Sequence, residues 1–188
     1  MTYEIALNKA WDKIAALASS KKYTVKYFTD IYEVRISDRM MLSISSDTPA
    51  SEDIAILVLH YLTGFLKYGY NPKEEWISFK DIKGGQSYYP AYQENTIKPI
   101  LEKFKEKTDD LISYLTESLE GRIVKGGDVT VELPTFSDVY IRMVLWHGDD
   151  EFAPEVTILF DRELTEIIPS EDIAVLLFNL AKRISDEL

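Results

Sequence analysis

The amino-acid sequence predicts a single α+β domain, with a largely antiparallel sheet of roughly six strands and helices packed on it. Three observations lead there. Most β-patterned segments are joined by hairpin-length connections, which suit antiparallel neighbours. Two helical segments are apolar on nearly every face, as buried helices are. The run Ser-Glu-Asp-Ile-Ala occurs twice, at residues 51–55 and 170–174, each time after a β pattern and at the head of one of those helices.

The elements follow in chain order. Tyr3, Leu7, Ala10, Trp11, Ile14, Leu17 and Ala18 recur at the 3.6-residue period, so a helix is expected over about residues 3–19. Strands are expected at about 23–28, 32–37 and 40–45, the last two joined through Ser37-Asp38-Arg39. Ser51 is read as an N-cap whose hydroxyl accepts from orphan N–H groups, with Glu52 and Asp53 favouring the helix dipole. The helix it opens carries Ile54, Leu57, Val58, Tyr61, Leu62 and Phe65. A loop at 69–72 leads to a short strand at 76–79, and Gly84-Gly85 interrupts the chain. Helices are expected at about 95–105 and 110–120, the second with Leu111, Tyr114, Leu115 and Leu119 on one face. Gly126-Gly127-Asp128 turns the chain into strands at 129–133, 139–146 and 155–160. Ser170 repeats the capping pattern before the final apolar helix. Each copy of the repeat reads as strand, turn, strand, helix, which points to two duplicated halves at about 1–90 and 91–188.

Composition excludes several functions. The chain has 188 residues, and its 46% hydrophobic content with 28% charged residues is that of a soluble globular domain able to fold without staples. Cysteine is absent, which removes disulfides, thiolate metal sites and a cysteine nucleophile. The formal net charge is −11, with no basic stretch beyond Lys21-Lys22, so nucleic acid is not expected as a partner. The longest apolar run, at 54–59, is far short of the roughly 20 residues needed to span a bilayer. Residues 1–20 lack a signal-peptide core, and a cytoplasmic location is expected.

Two segments could carry function. The turn His147-Gly148-Asp149-Asp150-Glu151, followed by Phe152, gathers an imidazole and three carboxylates that could hold a divalent metal if they converged, although Gly148-Asp149 also suits a tight hairpin. The second segment is aromatic, with Trp76, Ser78 and Phe79, then Gly84, Gly85, Tyr88 and Tyr89 beside flexible backbone; Trp146 lies just before the acidic turn. Such side chains suit a planar ligand or a protein partner. His60 aligns with Asn179 in the repeat, and a polar helix face accounts for both. No nucleophile elbow, phosphate-binding loop or dinucleotide fingerprint is present, so no catalytic residue and no cofactor is assigned.

The runs Leu59-His60-Tyr61-Leu62, Trp76-Ile77-Ser78-Phe79 with Gly84-Gly85, and Trp146 through Pro154 leading to Ile158-Leu159-Phe160-Asp161 and Ser170-Glu171-Asp172-Ile173-Ala174 carry a resemblance. Their order resembles a prokaryotic family known as a domain of unknown function, DUF3786, found mainly in anaerobes. Some of its members add a cysteine-rich iron–sulfur segment similar to that of corrinoid iron–sulfur proteins, which this chain lacks. The resemblance implies an accessory or ligand-binding module in anaerobic one-carbon or corrinoid metabolism, and no family catalytic residues are carried over. The expected function is a non-catalytic module in which the aromatic segment and the acidic turn form one surface for a small molecule or protein partner. A metal-assisted enzyme built on His147, Asp149, Asp150 and Glu151 is the alternative.

Overall fold

Two antiparallel sheets, of three and five strands, share one core with the helices in the computed structural model, which describes residues 3–188. The chain opens with α1 (Tyr3–Leu17), whose Ala10, Trp11 and Ile14 are buried at helical spacing. The three-stranded meander follows: β1 (Lys22–Tyr27), β2 (Asp30–Arg35) and β3 (Met40–Ser43). Next comes α2 (Glu52–Tyr68), packed on α1. The chain then enters the larger sheet at its edge strand β4 (Trp76–Ser78).

A helical stretch separates β4 from the rest of its sheet. It comprises α3 (Gly85–Tyr92), a π turn (Gln93–Ile97), α4 (Lys98–Glu106), α5 (Thr108–Ser113) and a second π turn (Tyr114–Ser118). Then β5 (Arg122–Val124), β6 (Val129–Pro134), β7 (Tyr140–Trp146) and β8 (Glu155–Asp161) form a meander. β4 closes it, in the order β4-β8-β7-β6-β5. The short α6 (Leu164–Ile167) and the long α7 (Ser170–Glu187) end the chain.

Several expectations are corrected. Among the described residues the strands number eight and divide between two sheets, because the connection from β3 to β4 is spent on a 17-residue helix. The sheets meet at a turn of each: the Phe28 amide donates to the Thr135 carbonyl at 2.6 Å, and Tyr27 forms an isolated bridge with Phe136. Gly84-Gly85 opens a helix where flexible backbone was expected. Gly84 sits at a φ of 84°, a region that favours glycine, and a Cβ on Gly85 would lie 2.0 Å from the Phe79 carbonyl oxygen. Neither repeat serine caps with its hydroxyl. Ser51 stands at the N-cap without a side-chain bond, and Ser170 lies inside the first turn with its hydroxyl on Glu171. The acidic pairs Glu52-Asp53 and Glu171-Asp172 do lie in the first turns, as the dipole argument requires.

Alternation along the larger sheet decides where a site can form. Ile77, Val131, Leu133, Ile141, Met143, Leu145, Val156, Ile158 and Phe160 are buried toward the helices. Their neighbours in sequence therefore face the other way, onto a side where Arg122, Tyr140 and Trp146 are exposed.

Candidate functional site

On that open face, register lines up residues from all five strands. Ser78 pairs with Leu159, Leu159 with Arg142, Arg142 with Glu132 and Glu132 with Arg122. Directly paired residues share a face, so these side chains form one row. At its centre Glu132 is only 3% exposed. A carboxylate buried that deeply must be paired, and both arginines serve it. Arg122 donates through Nε at 2.9 Å and Nη2 at 2.5 Å, and Arg142 donates through Nε at 2.8 Å. Arg142 also extends over β8 to lie 3.8 Å above the Trp76 ring, a cation–π contact that fixes both side chains. Burial raises the Glu132 pKa, but the two guanidinium hydrogen bonds outweigh it and hold the carboxyl below its ordinary value.

Trp76 pairs with Asp161 at the end of β8. Asp161 is 2% exposed, and one of its carboxylate oxygens accepts from the Glu163 amide at 2.8 Å. The other, Oδ2, has no hydrogen-bond partner among the described residues. The neighbouring cation Lys73 is engaged by Glu163 at 2.5 Å. Tyr70 lies beside Asp161; burial, reinforced by that carboxylate, pushes its phenol pKa up, so the hydroxyl remains a donor. Together these groups line a cleft of about 330 Å³, walled by the 69–75 loop on one side and by Asp138 and Tyr140 on the other. It holds two guanidinium groups against four carboxylates, those of Glu74, Glu132, Asp138 and Asp161.

Of the residues singled out in the sequence, Trp76 alone belongs to this cleft. Ser78 is occupied locally: its amide and hydroxyl both donate to Asp81, capping a short 3-10 turn. Phe79 is fully buried and stacks on Tyr92 at 4.8 Å, so it is a packing residue. Tyr88 is exposed and bonds Glu171 at 3.4 Å. Tyr89 borders a second groove, of about 360 Å³, with Ser78, Phe79 and the start of β8. Trp146 lies further along β7 and is 46% exposed. The Tyr89 groove and the acidic turn adjoin at Pro154, while Trp76 lines the separate cleft with Arg142 and Asp161.

The acidic turn holds itself together. Asp149 Oδ1 accepts from the amides of Glu151 and Phe152 at 2.8 and 2.7 Å, and these bonds keep its carboxyl below the usual aspartate value. The His147 amide donates to Asp128, and the His147 ring lies 5.0 Å from that of Phe104. The turn borders a depression of about 520 Å³ against Phe104 and Lys105. Among the described residues, no three His, Asp or Glu side chains are placed to hold a metal ion.

His60 differs from its expectation. It is half-buried, and its Nδ1 lies 2.7 Å from Asp172, inside the second copy of the repeat. Asn179 is buried and donates to the Tyr27 hydroxyl at 2.8 Å. Neither residue is on a solvated helix face.

Fold and cleft define an α+β protein with an arginine–carboxylate network on the open face of an antiparallel sheet. A family model described as Domain of unknown function (DUF3786) matches residues 7–183, and the chain belongs to that family. No curated protein and no solved structure matches the chain. Among the described residues, no helix is long and apolar enough to cross a membrane.

Proposed function

We propose that the protein is a non-catalytic, cytoplasmic binding module whose cleft takes a small molecule bearing a protonated amine. The observation that carries this reading is the unpartnered Oδ2 of Asp161. A buried acceptor left without a donor costs about 1–3 kcal/mol, and a ligand ammonium group would satisfy it where no side chain does. The Glu132–Arg122–Arg142 network supplies a rigid floor, because each charge is already paired and Trp76 holds Arg142 in place. Tyr70 and Tyr140 give aromatic walls, which favour a cation. The excess of carboxylates over guanidinium groups favours the same sign of ligand.

The setting we propose is that of an accessory protein in prokaryotic anaerobes, linked to one-carbon or corrinoid metabolism, as the family resemblance implies. The repeated Ser-Glu-Asp-Ile-Ala run supports origin by duplication of a half-domain: α2 and α7 both begin at a copy of it, and each follows an antiparallel hairpin.

The test is a thermal-shift panel of alkylamines, arylamines and amino acids, with matched carboxylic acids and alcohols, on the wild-type protein and on Asp161→Asn. The expected result is that at least one amine raises the wild-type Tm by several degrees, that its uncharged analogue does not, and that Asp161→Asn loses the shift. Absence of any amine-specific shift, or an equal shift in the variant, would overturn the assignment.

A further inference from the structure

A further cleft lies between α1, α2 and α6, with a volume of about 480 Å³. That is within the range of small-molecule sites. Its walls are mainly apolar, from Ala16, Leu17, Ile167 and Pro169. α2 and α6 meet closely at its base, where a Cβ on Gly64 would fall 1.9 Å from the Ile167 carbonyl oxygen.

Three polar features give the cleft a direction. Lys13 and Lys67 stand at its edge, exposed; neither forms a salt bridge among the described residues, and Lys67 lies 4.7 Å above the Tyr68 ring, although the chain carries a net charge of −11. Thr63 lines the cleft with a hydroxyl that is buried and has no hydrogen-bond partner among the described residues. His60 lines it as well, with Nδ1 fixed by Asp172, so the ring edge carrying Nε2 is the free one. At the same offset in the second repeat, Asn179 is sealed inward by the Tyr27 hydroxyl. The two copies thus differ: one polar group is closed off, and the other borders a cleft.

We infer that this cleft binds a free fatty carboxylate of medium chain length. Its alkyl chain lies along Leu17, Ile167 and Pro169, and its head group meets Lys13 and Lys67 with the Thr63 hydroxyl donating to it. Charge complementarity fixes the head group, since two cations with no carboxylate partner among the described residues attract an anion, and the apolar walls require a hydrocarbon body.

Calorimetric titration with decanoate tests this, with decanol as the uncharged control. One decanoate is expected to bind per chain, at least tenfold more tightly than decanol. The double variant Lys13→Ala/Lys67→Ala is expected to weaken decanoate at least tenfold, and Thr63→Val, which removes the hydroxyl at nearly constant shape, by about fivefold. Circular dichroism identical to wild type verifies that these variants fold. Asp161→Asn is expected to bind decanoate as wild type does, which separates this site from the amine cleft. No saturable heat, equal affinity for decanol, or an unaffected lysine variant would overturn the proposal. Co-sedimentation with phosphatidylglycerol vesicles in the absence of decanoate binding would overturn it in favour of a lipid surface.

Discussion

Replacing Phe136 by alanine is expected to destabilise the fold by about 4 kcal/mol, since truncating a buried phenylalanine costs about 3–5 kcal/mol. Phe136 is 1% exposed and occupies the joint between the two sheets. Its ring stacks on Tyr61 of α2 at 4.0 Å with an interplanar angle of 5°, and lies 5.3 Å from Tyr27 of β1. Tyr27 in turn packs edge-on against Phe28 at 4.8 Å. The backbone joint is narrow, a bridge between Tyr27 and Phe136 beside one amide-to-carbonyl bond, so the aromatic cluster supplies most of the contact there. Urea unfolding should show a lower midpoint, with a thermal midpoint lower by roughly 12 °C for a chain of this length. Phe152→Ala removes a ring that is 69% exposed and should change neither. A Phe136→Ala loss below about 1 kcal/mol would mean that the two sheets are held together elsewhere.

Glu132→Ala is expected to cost about 3 kcal/mol, the lower end for removing one partner of a buried charge network. The lower end applies because Arg122 is largely solvent-exposed and can rehydrate, whereas Arg142, partly covered and stacked on Trp76, is left against uncompensated surface. Glu132→Gln gives the pH dependence. The folded-state carboxyl lies below its ordinary value, so its contribution is fully present above the unfolded value of about 4.3. It is lost as pH falls from there through the lower folded value. Wild type should therefore exceed Glu132→Gln in stability at pH 7, and the gap should close on acidification below about pH 4. A gap that persists at pH 2 would show that the carboxylate charge is not what the arginines stabilise.

Much of the fold is readable in the sequence. α1 follows from apolar periodicity, α2 and α7 from apolar runs behind the repeated Ser-Glu-Asp-Ile-Ala, and the meander β6-β7-β8 from alternation between turn signals. Other elements are not legible. Residues Gly85 to Tyr92 carry glycine, serine and proline, a composition that argues against a helix; tertiary packing of Gly85 on Phe79 and of Tyr92 in the core overrides it. β5 is three residues long and largely exposed, too short to show alternation. The division into two sheets depends on which strand edges meet, and no local pattern records that.

The candidate cleft was legible only through Trp76. A signal for the rest did exist. Glu132 and Arg142 are the charged residues of largely apolar β runs, at positions whose alternation places them off the core face. What sequence could not supply was register, which sets those two opposite each other and Glu132 opposite Arg122. Nor could it reveal that Asp161, at a strand end where acids are common, is buried with an oxygen unpartnered.

The most direct test of the amine cleft is a titration of the tryptophan indole N–H resonances by proton–nitrogen NMR. The chain has three, from Trp11, Trp76 and Trp146. With the amine that gives the largest thermal shift, the Trp76 resonance should move saturably in wild type, the buried Trp11 resonance should stay in place, and Asp161→Asn should abolish the movement. A Trp76 resonance that stays fixed across the titration, or that moves equally in Asp161→Asn, would contradict the assignment of this cleft as the binding site.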